Sequence, residues 1–250
     1  MTRLRAASSL SIALLVALTL GGAGCPAPAG RDKKAGVPDA ATPDRGAARP
    51  WPTTHEACAR VTPPPPGKLK EISLAGIRLI PDGSRLVPAP GQSVGAPRLV
   101  LGVLADIHQA DEDNLKQLGR IRALLEQAGA HAIVVLGGMD ATYEGTRAAL
   151  ASLKGKLPLL ALPGDRASRS GFSGAVENLG QGVVDLTLAR AVVHPAATLI
   201  SVPGYHLVHN LRAAEQGCSY NAEDLREVAA LARQQGAPRV LLAHGPPRGK

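Results

Sequence analysis

The side chains of this 250-residue chain that could do chemistry fall into four short polar clusters, each directly after an apolar segment. An aspartate and a histidine one residue apart on a turn can both reach one cation, through a carboxylate oxygen and an imidazole nitrogen. The clusters therefore indicate a site for a divalent metal ion. They are Asp106-Ile107-His108, GGMD at 137–140, PGDR at 163–166 and HGPP at 244–247.

An alternation of strands and helices is predicted to position these clusters. Loops at the carboxyl ends of parallel strands meet at one edge of a sheet, so we expect the clusters to converge. Asn221 is expected to cap the last helix. Continuous apolar runs predict buried strands at 98–105, 131–136, 157–162 and 239–243, and helical spacing predicts helices at 114–127, 144–153, 173–179 and after 221. Turn residues at 81–84 predict a hairpin of 77–80 with 85–87, and further short strands are predicted at 183–184, 191–193 and 198–202.

The order of the clusters resembles that of the calcineurin-like metallophosphoesterases. In that family one strand ends in D-x-H, the next in G-D, the next in G-N-H and a later one in His, followed by G-H-x-H. The sequence VLADIH ending at His108 matches the first element, and VLLAHGPP from Val240 matches the histidine element. The resemblance covers residues 98–250 and implies a layered α/β sandwich that hydrolyses phosphate esters.

The resemblance also implies which residues bind metal and substrate. It assigns divalent ions such as Mn, Fe or Zn to a set of five ligands. Arg166, where the family has a histidine, is a candidate phosphate contact, with a solvated arginine as the alternative. The bound partner would be a phosphate ester or another small anion. The implied metal ligands are Asp106, His108, Asp140, Asp165 and His244.

Three departures from the family pattern leave other interpretations open. Gly138 stands at the family's metal-bridging aspartate, and the Asn-His pair is replaced by Asp165 and Arg166. The chain ends at Lys250 before any G-H-x-H, so it leaves open whether the domain continues. A catalytically degenerate binding or scaffold lipoprotein is the alternative, and an unrelated periplasmic α/β binding module is a third. In those cases Asp165 and Arg166 form a loop ion pair and His244 is an ordinary turn residue.

The N-terminus predicts export. Arg3 and Arg5 precede an apolar run, Leu10 to Leu20, which would rise only about 16 Å as a helix, too short for a bilayer core of about 30 Å. Residues 1–24 therefore indicate a signal peptide. The small residues before Cys25 resemble a bacterial lipoprotein signal, which implies a lipid on that cysteine and a membrane-anchored protein on the periplasmic or cell-surface side. Ordinary cleavage near Ala23 or Ala29 is the alternative.

The rest of the chain predicts a tether, a main domain and a disulfide. The Pro/Ala-rich composition of 25–67 predicts an extended tether, and 68–250 the main domain. With Cys25 lipidated, Cys58 and Cys218 remain, and an oxidising compartment favours a bridge between them over two buried thiols. The bridge would fasten the last part of the tether to the domain.

The amino-acid composition argues against some classes of protein and of binding partner. With 45% hydrophobic residues, the chain as a whole is not disordered. Its formal charge of +8 suits anionic partners, although the Lys and Arg residues form no dense cluster. Only 2% of residues are aromatic, which argues against nucleic-acid binding by base stacking.

Overall fold

The computed structural model describes residues 14–16, 56–92, 98–206, 211, 216–236 and 238–245. Cys25 and the greater part of the predicted signal peptide and tether lie outside these residues, as do Pro246 and Pro247.

The first sheet is entirely parallel. Its strand order is β1-β6-β7-β8-β9. Leu14–Val16, within the predicted signal segment, is its first strand and pairs with β6. The five strands are β1 Leu14–Val16, β6 Leu101–Leu104, β7 Ala132–Leu136, β8 Leu159–Leu162 and β9 Val183–Asp185.

The second sheet is mixed and has the strand order β13-β11-β10-β5-β4-β3. The predicted hairpin is present as the antiparallel pair β4 and β5, and β11 runs parallel to β13. The six strands are β3 Ile72–Leu74, β4 Ile77–Asp82, β5 Arg85–Pro88, β10 Ala191–His194, β11 Ala197–Val202 and β13 Arg239–Ala243.

Four helices start at side chains that accept hydrogen bonds from their first turns. Asp111, Thr142, Ser168 and Asn221 are the N-caps, so the cap predicted at Asn221 is confirmed. None of the helices in the described ranges is long and apolar enough to cross a membrane. The helices are α1 Glu112–Gln127, α2 Tyr143–Leu153, α3 Arg169–Leu179 and α4 Ala222–Arg233.

Alternate residues of the strands divide the molecule into four layers. In β7, Ala132 and Val134 face a core shared by the two sheets, while Ile133 and Val135 face a second core against α1, α2 and α3. A third core packs α4 against the outer face of the second sheet. A strand buried on both faces has apolar side chains at successive positions, as β8 does throughout. The predicted layered α/β sandwich is confirmed, with two large sheets flanked by four helices in the described part of the chain.

A short third sheet joins the end of the predicted tether to the main body. Its strands are β2, Glu56–Ala57, and β12, Cys218–Ser219, which run parallel. Cys58 and Cys218 form a disulfide with a Cα–Cα distance of 5.3 Å. The fully buried Arg190 donates hydrogen bonds to the carbonyls of Cys58 and Ser201. Burial lowers the pKa of this guanidinium to about 10, so it stays charged at neutral pH. The segment around Cys58 is therefore built into the fold.

Candidate functional site

The loop after β6 holds two candidate residues in an uncommon backbone conformation. Asp106 and His108 have φ angles of 56° and 60°, in the left-handed region that few residues other than glycine adopt. Two hydrogen bonds hold this loop against the neighbouring strand's loop: the amide of Asp106 donates to the Gly137 carbonyl, and that of His108 to the Gly138 carbonyl at 2.7 Å. Such conformations persist only where the surroundings enforce them, and they concentrate at functional sites.

Three glycines allow the loops after β6, β7, β8 and β13 to touch. A Cβ on Gly137 would lie 2.6 Å from the Cα of Gly164, and a Cβ on Gly164 would lie 2.8 Å from the His244 ring. Gly138 has a φ of 68°, and a Cβ there would lie 2.5 Å from Asp106 Oδ1. We name this junction of backbone and His244, at the carboxyl edge of the first sheet, the rim. The four predicted clusters do meet there.

His244 and Asp165 form the best-defined polar contact of the rim. The ring Nδ1 lies 2.8 Å from the Leu136 carbonyl, and Nε2 lies 3.1 Å from Asp165 Oδ1. A carbonyl can only accept, so Nδ1 carries a proton, and a proton on Nε2 bridges to the carboxylate. Burial lowers the pKa of His244, but the bonds to Asp165 and Leu136 and the charges of Asp165 and Asp106 outweigh it, and the pKa is raised overall. While His244 is protonated, which its raised pKa favours, the two side chains form a nearly enclosed ion pair, since they are 8% and 19% exposed.

Asp140 and Arg166 lie beside this pair in different surroundings. One oxygen of Asp140 accepts hydrogen bonds from the amide and hydroxyl of Thr142, both at 2.9 Å, and the other accepts from the Ala110 amide. Burial raises the pKa of Asp140, but these bonds and the charge of Arg166 lower it overall. The carboxylate therefore shapes the turn before α2. The Nε of Arg166 is buried and has no hydrogen-bond partner among the described residues.

The predicted ligand set is brought to one edge of the sheet without forming a metal cage. Asp106 and His108 are exposed, whereas Asp165 and His244 face each other. Within the described ranges, no three His, Cys, Asp or Glu side chains are grouped closely enough to hold a metal ion.

The position of the family's bridging carboxylate is the sharpest test of a two-metal centre. The carboxylate and backbone of Asp106 occupy the space that a side chain at Gly138 would need. Asp140, two residues further on, is held by Thr142 and Ala110. Two divalent ions repel each other strongly at short range, and a shared carboxylate is what holds them together. The residues at the rim therefore do not fit a two-metal centre.

Two tyrosines complete the wall of the rim and are absent from the sequence-based site. The ring centroids of Tyr205 and His244 are 5.8 Å apart. The hydroxyl oxygen of Tyr220 lies 3.7 Å from the position that a Cβ on Gly245 would take. The amide of Tyr205 donates to the carbonyl of Cys218, so the disulfide and this wall are adjacent. The chain has only three tyrosines, and this rarity is the sequence signal that points to Tyr205 and Tyr220.

No protein-family model matches the chain, and no curated protein sequence is similar to it. Among solved structures, the fold is similar to the crystal structure of TT1561 of Thermus thermophilus, with a TM-score of 0.49 and 17% identity over 60% of this chain and 69% of that one. A second crystal structure is similar with a TM-score of 0.43 and 13% identity over 60% and 70% of the two chains. Likenesses this distant carry no argument about activity.

Proposed function

We propose that this chain is an exported binding protein that has the layered fold of the calcineurin-like metallophosphoesterases and does not hydrolyse phosphate esters. One observation carries this proposal: Asp106 fills the space beside Gly138, where the family places its bridging aspartate. Without that carboxylate, the residues present supply no bridge between two metal ions.

The protonation of the rim supports the same conclusion. Both ring nitrogens of His244 are engaged, one with the Leu136 carbonyl and one with Asp165. A histidine binds a metal ion only through a nitrogen that has lost its proton. A cation would therefore have to displace a proton from an ion pair that is already satisfied.

Metal analysis and a phosphatase assay test the proposal directly. The purified chain is dialysed against Mn²⁺, its bound metal is measured by mass spectrometry, and hydrolysis of p-nitrophenyl phosphate is followed with Mn²⁺, Fe²⁺ or Zn²⁺ added. We expect less than one bound metal ion per chain and no hydrolysis above the rate without protein.

Two variants separate a true activity from a contaminant. Metal-dependent hydrolysis that disappears in both Asp106→Asn and His244→Gln would overturn the proposal. Hydrolysis that persists unchanged in both variants comes from another protein and leaves the expected result in place.

A single-metal hydrolase is the second candidate, and one distance favours it. Nε2 of His244 and Oδ1 of Asp165 are 3.1 Å apart. Two atoms on adjacent positions of one metal ion, each bonded at about 2.1 Å, are separated by about 3 Å. If this candidate holds, Mn²⁺ raises the melting temperature of the native chain above pH 8 and leaves that of Asp165→Asn unchanged.

Export and membrane anchoring belong to the same proposal and depend on the N-terminal residues. The Cys58–Cys218 disulfide supports them, because such bonds persist in oxidising compartments. Expressed in a bacterium with a lipoprotein pathway, the chain is expected in the membrane fraction and Cys25→Ser in the soluble periplasmic fraction. Recovery of both in the cytosol would overturn this part.

A further inference from the structure

A groove beside α3 shares no lining residue with the rim. It has a volume of about 340 Å³ and lies between α3, the segment 65–70 and the end of β9. We name it the α3 groove. Its apolar wall includes Leu69, Val176 and Val183, each of which is at least nine-tenths buried. A surface of this kind favours an apolar body of moderate size.

A buried carboxyl forms part of the groove's lining. Asp185 is 6% exposed, accepts a hydrogen bond from the Thr187 amide at 2.7 Å and accepts another from the Ser173 hydroxyl at 2.9 Å. Burial raises the pKa of Asp185 against these bonds and against the charge of Arg169. Polar groups in an otherwise apolar groove orient a ligand, because each must keep a partner when water leaves.

The charges lining the groove do not balance. Three cationic side chains, Lys68, Lys70 and Arg169, face two carboxyls, Glu177 and Asp185. Lys68 is paired with Glu177 at 2.5 Å, and Arg169 is the cation whose charge acts on Asp185. Lys70 also acts on Glu177, so among the described lining residues three cations share two carboxyls, an excess of one positive charge even when Asp185 is ionised. An excess of positive charge beside an apolar wall favours a ligand with one negative group.

We propose that the α3 groove binds a small amphipathic anion, with its apolar body against Leu69, Val176 and Val183 and its oxyanion at Lys70 and Arg169. This inference goes beyond the function proposed for the rim and does not depend on whether the rim binds metal. It assigns the protein a ligand class, namely an apolar molecule with a single carboxylate or phosphate.

Calorimetric titration of the full chain with a matched pair of probes tests the proposal. 2-Naphthoate carries a carboxylate, and 2-naphthamide has nearly the same shape without the charge. We expect saturable binding of 2-naphthoate and at least about tenfold weaker binding of 2-naphthamide, because the amide forgoes charge-assisted hydrogen bonds. Equal affinity for the two probes, or no binding of 2-naphthoate at millimolar concentration, would overturn the proposal.

Charge-neutralising variants locate the bound probe. Arg169→Gln and Lys70→Gln are each expected to weaken 2-naphthoate binding by about tenfold. Arg226→Gln, on the exposed side of α4 against the other sheet, is the matched control and should leave the affinity unchanged.

The rim is the competing location for an anion, since Arg166 lies there. Loss of binding in Arg166→Gln together with full binding in Arg169→Gln would place the anion at the rim and overturn the proposal. All four changes remove one charge and keep a long polar side chain, and a cooperative thermal unfolding transition is expected for each variant, which shows that a loss of binding is not a loss of folding.

Discussion

The rim and the α3 groove lie in the same layered fold but differ in how their polar groups are satisfied. At the rim, glycines bring the backbones of neighbouring loops into contact, and among the described residues His244 and Asp165 partner each other at 3.1 Å. Along the groove, about 340 Å³ is open, and the described lining residues carry three cations against two carboxyls. In the described part of the chain, the best-defined polar groups of the rim are therefore paired with each other, while the groove combines open volume with an excess of positive charge.

This difference shows that motif residues and an available site are separate properties. The loops after β6, β7 and β8 meet because the parallel strands of the first sheet bring their carboxyl ends to one edge, and β13 of the second sheet brings His244 against them. Whether such residues can bind a ligand depends on the space and protons left between them. The following predictions would break or sharpen the contrast between the two regions.

The largest effect is expected from removing the disulfide that holds the wall beside the rim. Cys58 and Cys218 are 160 residues apart, and a cross-link over so long a loop restricts the unfolded chain strongly. The double variant Cys58→Ser/Cys218→Ser should lower the free energy of unfolding by about 4 kcal/mol. Urea unfolding measures this change in the free energy of unfolding, and the native chain under reducing conditions is the matched comparison. A loss below about 1 kcal/mol would contradict it.

Restoring the family's bridging residue should disrupt the rim. Gly138→Asp places a Cβ 2.5 Å from Asp106 Oδ1 at a φ of 68°. The strain should reduce the free energy of unfolding by about 3 kcal/mol. Gly119→Ala, where α1 leaves open space around the glycine, is the control and should gain about 0.8 kcal/mol. Full stability of Gly138→Asp together with new metal binding would show that the rim can open.

Breaking the ion pair should have a smaller, pH-dependent effect. His244→Gln should cost about 2 kcal/mol at pH 6, because hydrogen bonds to a charged partner are lost. The pKa of His244 is raised in the folded state, so its contribution is complete below its ordinary value of 6.5 and is lost as pH rises through the raised value. The stability difference between native chain and variant should therefore shrink from pH 6 to pH 9. A constant difference would contradict the ion pair.

The smallest effect on stability is expected at the groove. Lys70 is exposed, so Lys70→Gln should change the free energy of unfolding by less than about 0.5 kcal/mol while weakening anion binding. Chemical denaturation measures the first quantity and calorimetry the second. A loss of stability comparable to that of His244→Gln would mean that Lys70 is structural and that the two regions are alike.

Most of the fold could be predicted because apolar spacing and helix caps are local signals. The runs containing β6, β7, β8 and β13 predict strands at their observed places. α3 was predicted too short, from 173, whereas it begins at Arg169. Its first turn is polar, and only the hydroxyl of Ser168, which accepts a hydrogen bond from the Gly171 amide, marks the start.

The residues of the candidate site could be predicted from the sequence, but the contacts between them could not. The order of the polar clusters predicts that His244 lies near Asp165, 79 residues away, but not that the two side chains hydrogen-bond to each other. The groove carries no sequence motif, because Lys70, Arg169 and Asp185 come from three separate segments. Asp185 alone carried a hint, as a carboxyl in a short apolar strand.

The anchoring of the segment around Cys58 has a mechanical consequence. If Cys25 is attached to a membrane, the free part of the tether ends near Glu56, where the chain enters the folded body. The roughly 30 residues between them can span at most about 100 Å. A pulling force along the tether would act on the Cys58–Cys218 disulfide and, through it, on the loop beside Tyr205.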